Sequence, residues 1–93
     1  MKVRWSETAL AEIEDIFSYI YQNNRSAATA VVGRIEGLTV LLEEFPFVGH
    51  LTDEPDVRML SVVRYPFVIF YAIDDAAGET VILHVRHTAR ERP

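Results

Sequence analysis

The run Phe67 to Ile73 is apolar or aromatic at nearly every position. An extended strand of that composition cannot leave one face in water; it is normally central in a sheet and covered on both sides. Val57 to Arg64, just upstream, reads as a second strand, with Tyr65-Pro66 as the break between the two. The chain has 93 residues, enough for one compact domain and not two, so it holds few elements with which to cover a sheet twice. One face calls for packed helices. What covers the other is not given by composition. Phe67, Ile69 and Tyr71 alternate against Val68 and Phe70, and the pattern leaves open which set faces inward.

The covering elements are legible upstream. Lys2 to Trp5 alternates polar and apolar residues as a short strand does. Ser6 is a good helix N-cap, and Glu7 follows in the first turn, where the helix dipole favours an acid. Ala9, Leu10, Ile13, Ile16, Phe17 and Ile20 recur at helical spacing to about Gln22, with Glu12, Glu14 and Asp15 mainly on the other side. Asn23-Asn24 signals a turn. Ser26 is the expected cap of a second helix whose apolar face is Ala28, Val31, Val32, Ile35, Leu38, Leu41 and Leu42, ending before Pro46. Gly33 and Gly37 lie on one side of it at ~1 kcal/mol each relative to Ala, and close approach of the first helix is the expected return.

Phe45 to Val57 reads as a loop, and Asp74 to Gly78 as a hairpin turn. The last strand runs from about Glu79 to His87, with Val81, Leu83 and Val85 expected toward the helices and Ile82, His84 and Arg86 away from them. The order is therefore β-α-α-β-β-β. Residues 1–93 form a single α+β domain with a helical hairpin on one face of a small, mainly antiparallel sheet.

Charge and composition exclude several classes. The formal net charge is −5, and the chain has no cysteine, which rules out disulfides and thiolate metal sites. Residues 1–57 carry four basic and ten acidic side chains, and residues 58–93 carry five basic and four acidic. An acidic molecule is poorly suited to non-specific nucleic-acid binding, which depends on neutralising several phosphates. No apolar run approaches the ~20 residues that span a bilayer, and no signal-peptide core precedes the first strand, so a cytoplasmic protein is expected.

His84 and His87 are three apart, and on a strand such positions point to opposite faces, so unless a bulge intervenes they do not share a metal, and no cofactor is expected. Asp74-Asp75 and Glu43-Glu44 read as a turn and a solvated helix end. The remaining candidates are cations. Arg58, Arg64, His84, Arg86, His87 and Arg90 could rim a concave sheet face that binds an anionic substrate or an acidic peptide, or the arginines could simply form a solvated face; Arg58 and Arg64, six apart in one strand, share that face.

The chain also resembles a known family along nearly its whole length. The resemblance is carried by Trp5-Ser6 with Ala9, Tyr19-Ile20, Asn24 with Ala27-Ala28, Phe45-Pro46 to Gly49, Arg58-Met59-Leu60, Tyr65 to Tyr71, and Val85-Arg86-His87 with Arg90. In this order they are similar to the RelE/ParE superfamily of type II toxin–antitoxin toxins, whose element order is the one derived above. The resemblance implies growth inhibition, a cognate ParD-like antitoxin as partner in a hetero-oligomer, and one of two activities; with such a partner, the second face of the sheet is expected to be at least partly a partner surface, with Arg64 at its edge.

RelE-like toxins are metal-independent, ribosome-dependent mRNA endonucleases, for which only Arg64, Arg86, His87 and Arg90 would be candidates here. The only lysine is Lys2, and Asp53, Glu54 and Asp56 stand where RelE-like chains tend to be basic. ParE-like toxins poison DNA gyrase, a protein target, and the Tyr65-Pro66-Phe67-Val68-Ile69 run with the histidine–arginine ending is closer to that branch. An inert relative that retains only antitoxin binding is the third possibility.

Overall fold

The computed structural model describes residues 1–91, and side chains through residue 89. β1 (Lys2–Trp5) leads through Ser6 into α1 (Glu7–Tyr21), and α2 (Arg25–Glu44) returns beside it. β2 (His50–Leu51), β3 (Val57–Val62), β4 (Phe67–Asp74) and β5 (Glu79–His87) follow, and a 3₁₀ turn (Thr88–Glu91) closes the described chain. The sheet order is β1-β5-β4-β3-β2. β1 lies parallel to β5 and the other pairs are antiparallel, which gives the expected α+β domain with its hairpin of helices on one face.

Local chemistry sets the helix boundaries. Ser6 caps α1, its Oγ accepting the Ala9 N–H at 3.0 Å. The second cap is Asn24 rather than Ser26: Asn24 Oδ1 accepts the Ala27 N–H at 3.0 Å, so the helix begins one residue before Ser26. Gly33 and Gly37 do not bring the helices together. Both are exposed, and a Cβ added at either would meet nothing within 4 Å. Leu41, expected inward, is likewise exposed, while Ala28, Val31, Ile35 and Leu42 are buried.

The sheet answers which residues of β4 face inward. Phe67, Ile69 and Tyr71 join Val62, Ile82 and Val85 in the core beneath Ala9, Val31, Ile35 and Leu42. Val68 and Phe70 lie on the far face, where their cross-strand neighbours are Ser61 with Arg86 and Met59 with His84. Val68 is nonetheless 5 % exposed.

The alternation expected for β5 fails midway. Phe70 is opposite His84 and Tyr71 is opposite Ile82, so Leu83 is an extra residue, a β-bulge. Thr80 and Ile82 therefore face the helices, not Val81 and Leu83, and beyond the bulge Val85 does. The bulge sits where β1 ends. The Ser6 N–H donates to Ile82 O at 3.0 Å and Ser6 Oγ donates to Leu83 O at 3.1 Å, so the residue that caps α1 also holds the displaced backbone of β5.

The segment between α2 and β3 holds an unforeseen strand. His50 and Leu51 pair with Met59 and Arg58 and form the outer edge of the sheet.

Candidate functional site

Two short connections meet at one end of the domain: the turn between α1 and α2, and the turn at 63–66 between β3 and β4. Neither is long enough to cover the seam between helices and sheet. A groove of about 1040 Å³ opens there. Its floor is apolar, from Ile16, Ile20, Ala27, Val31, Phe67 and Val85. Tyr19 and Tyr65 stand on its walls, Glu12 and Asp15 line it from α1, and Arg86 and His87 line it from β5.

The charged rim is organised around Glu12. Beyond Ile82, β5 has no β1 residue beside it, and the Glu12 carboxylate takes that place. Oε1 accepts the Val85 N–H at 3.1 Å and lies 3.2 Å from His84 Nδ1, and Oε2 is 3.8 Å from Arg86 Nε. The short contact calls for the proton on His84 Nδ1. Arg86 Nη2 is 3.3 Å and 3.4 Å from the two His84 ring nitrogens, so the guanidinium lies against the ring rather than in line with one lone pair. His87, on the opposite face, meets the Phe67 ring edge-on at 5.4 Å, and its Nδ1 accepts the Ala89 N–H at 3.1 Å. The arrangement suits ionic and apolar recognition of a polypeptide.

The six cations expected to form one rim are divided. His84, Arg86 and His87 are together at the end of β5. Arg64 is not in a strand: it occupies the 63–66 turn with φ of 76° and is exposed, near the same end, where the Thr88 N–H donates to Pro66 O at 2.8 Å. It therefore shares no face with Arg58. Arg58 pairs across from Tyr71 on the helix side of the sheet, and its Nη1 donates to Phe47 O at 3.2 Å and Gly49 O at 2.8 Å. It pins a loop at the other end of the domain. The Arg90 side chain lies outside the described residues.

Sequence reasoning missed the α1 contribution to this site. Glu12 is three residues after Ala9 and four before Ile16, on the border of the apolar stripe, and that spacing is the one signal that could have found it.

Residues 3–92 match the family model for the ParE toxin of type II toxin–antitoxin system, parDE. The chain belongs to the ParE toxin family. It is the toxin of a type II toxin–antitoxin system. It is 36% identical over 89 residues to toxin RelE2 of Caulobacter vibrioides, covering 96% of this chain and 97% of that protein. It is 30% identical over 92 residues to Y4kP of Sinorhizobium fredii, covering 99% and 93%.

Among solved structures, the chromosomal ParDE system of P. aeruginosa superposes with a TM-score of 0.81 at 22% identity, covering 94% of this chain and 95% of that one. The toxin–antitoxin complex RelBE2 of Mycobacterium tuberculosis gives 0.60 at 25% identity, covering 92% and 95%. No described helix of this toxin is long and apolar enough to cross a membrane.

Proposed function

We propose that this toxin arrests growth by acting on DNA gyrase, that Arg86, His84 and His87 contact the target, with Arg64 adjoining, and that a cognate antitoxin neutralises it by laying an amphipathic segment in the groove. The observation that carries this reading is the groove itself: an apolar floor with acids on one wall and Arg86 and His87 on the other. A partner segment with apolar residues at helical spacing fits such a floor. Once seated there it covers the same cations the target would need, so occupation and neutralisation become one event. The ParDE and RelBE2 neighbours are systems of this two-component kind, and a protein target suits an acidic toxin.

Expression without antitoxin tests the reading. DNA breaks and an SOS response with intact mRNA are expected. Cuts in mRNA at ribosomal A sites without DNA damage would replace it with the endonuclease reading, and normal growth would mark an inert relative. Arg86→Ala should relieve toxicity by about tenfold or more in the dose that arrests growth, as expected when an interfacial arginine anchor is lost. Tyr19→Arg, at a residue 73% exposed on the groove wall, should weaken antitoxin capture in a pull-down while leaving the fold intact.

A further inference from the structure

The end of the domain away from the groove displays apolar residues on a backbone that is firmly held. Phe45, Phe47, Val48 and Leu51 are all large, apolar and exposed, Leu51 by 69%. The segment carrying them is bonded into the sheet. Tyr71 Oη accepts the Gly49 N–H at 2.8 Å and donates to Pro46 O at 2.8 Å. Arg58 holds the Phe47 and Gly49 carbonyls, and its guanidinium lies 5.1 Å from the centre of the Phe47 ring. These side chains therefore stand outward on a fixed backbone and are not waiting to fold inward. Beside them β2 is the outer strand of the sheet, and an outer strand offers unpaired backbone donors and acceptors.

The charged side chains of this segment have one sign, and the N-terminal ammonium donates to the Glu43 carbonyl at the border at 2.7 Å. Residues 36–57 contain six acids and no lysine or arginine. Glu43 and Glu44 close α2 immediately before Phe45; Asp53, Glu54 and Asp56 form the tip after Leu51; all five are exposed. The bordering cationic side chain, Arg58, is directed at loop carbonyls.

We propose that this end is a second docking surface, for an extended partner segment that is apolar and carries lysine or arginine. Its backbone pairs with β2, its apolar side chains rest on Phe47, Val48 and Leu51, and its cations face the acids on either side. Apolar contact and strand pairing supply the affinity. The acids select the sign of the partner and repel an acidic one. The fixed loop keeps the ordering cost of binding small. This surface is distinct from the groove and does not depend on what the toxin's target is.

The test is an NMR titration of the full chain with three short peptides: an alternating Leu–Lys peptide, its Leu–Glu counterpart and its Ser–Lys counterpart. The Leu–Lys peptide alone is expected to bind and to shift the amide signals of residues 47–52. Phe47→Ser combined with Leu51→Ser should weaken that binding by about tenfold or more; both side chains are exposed, so dispersed signals elsewhere should be unchanged. Asp53→Lys with Glu54→Lys should reverse the preference toward the Leu–Glu peptide, which keeps the proposal testable if the apolar variant misfolds. No binding of Leu–Lys would overturn the proposal and leave the acids as a guard against self-association. Equal binding of all three peptides, or shifts confined to the groove around Tyr19 and Ala27, would overturn it as well.

Discussion

The two ends of α2 solve the same packing problem in opposite ways. At its start, the seam between helices and sheet is bordered by the short turns after α1 and after β3. They cannot reach across it, so an apolar cleft stays open with Glu12, Asp15, Arg86 and His87 on its sides. At its end, the long connection from Phe45 to β3 folds back and is fastened to the sheet by Tyr71 and Arg58. That seam is closed, and the covering segment turns its own apolar side chains outward. Connection length thus decides whether a small two-layer domain presents a cleft or a ridge. The cleft can take a side-chain-rich segment between its walls, whereas the ridge has an outer strand and a flatter apolar strip to offer.

The closed end should be the more sensitive to a single atom. Tyr71→Phe removes the hydroxyl that pairs both Gly49 N and Pro46 O, leaving a buried donor and a carbonyl without that partner, and should cost about 2 kcal/mol in urea unfolding. Gly49→Ala should cost a similar amount, because a Cβ there would come within 2.6 Å of Tyr71 Oη and 2.9 Å of Met59 O.

Burial pushes the Tyr71 phenol above its ordinary value, partly offset by the Gly49 N–H and the Arg58 charge. The folded chain therefore holds that proton more tightly than the unfolded one. The associated stability is complete below the ordinary phenol value of about 10 and is lost as pH rises through the folded value. Tyr71→Phe should flatten this alkaline loss. A Phe variant as stable as the parent, with the same alkaline decline, would mean that the loop closes without the phenol.

The open end should respond less, and through charge. Glu12→Ala deprives the Val85 N–H of its acceptor and leaves His84 and Arg86 without the facing carboxylate; about 1.5 kcal/mol is expected for a charged but partly solvated acceptor. Glu12→Gln can still accept from Val85 and should recover roughly half of that loss. Amide exchange separates the two roles: Val85 should exchange faster in the Ala variant and near the parental rate in the Gln variant. Equal exchange in both would make the Glu12 contact purely electrostatic.

The contrast between the ends was only partly legible in the sequence. Periodicity placed both helices and four strands, because burial of one face imposes a repeat that the chain must obey. It could not place what depends on a single hydrogen bond. The Leu83 bulge reverses the expected sides of Val81, Ile82 and Leu83, and its local support is a contact from Ser6, 77 positions away. Arg64 looked like a strand residue because nothing in its type announces a positive φ. Arg58 looked like a site residue because an arginine that holds backbone carbonyls is indistinguishable in sequence from one that awaits a ligand. The toxin resemblance was readable because it rested on many residues in order. The groove was not, because it is a gap between elements rather than a property of any one.

The middle of α2 should be indifferent to both ends, and this can be measured. Outside the adjoining backbone of α2, a Cβ added at Gly33 or Gly37 would meet nothing within 4 Å, so the close helix approach that would justify them is absent in the monomer. Gly33→Ala and Gly37→Ala should each stabilise the chain by about 1 kcal/mol, the cost of glycine in an exposed helix interior, and the two gains should add because neither residue has a packed neighbour to share. Gly33 lies nearer the groove and Gly37 nearer the pinned loop. Equal gains would therefore show that the conformational preference of α2 itself is being read. A loss at one position and a gain at the other would mean that a neighbour missing from the monomer, such as a second copy of the chain, packs against that half of the helix. Repeating the melts across a range of protein concentrations would decide between the two, since only a packed copy makes the effect depend on concentration.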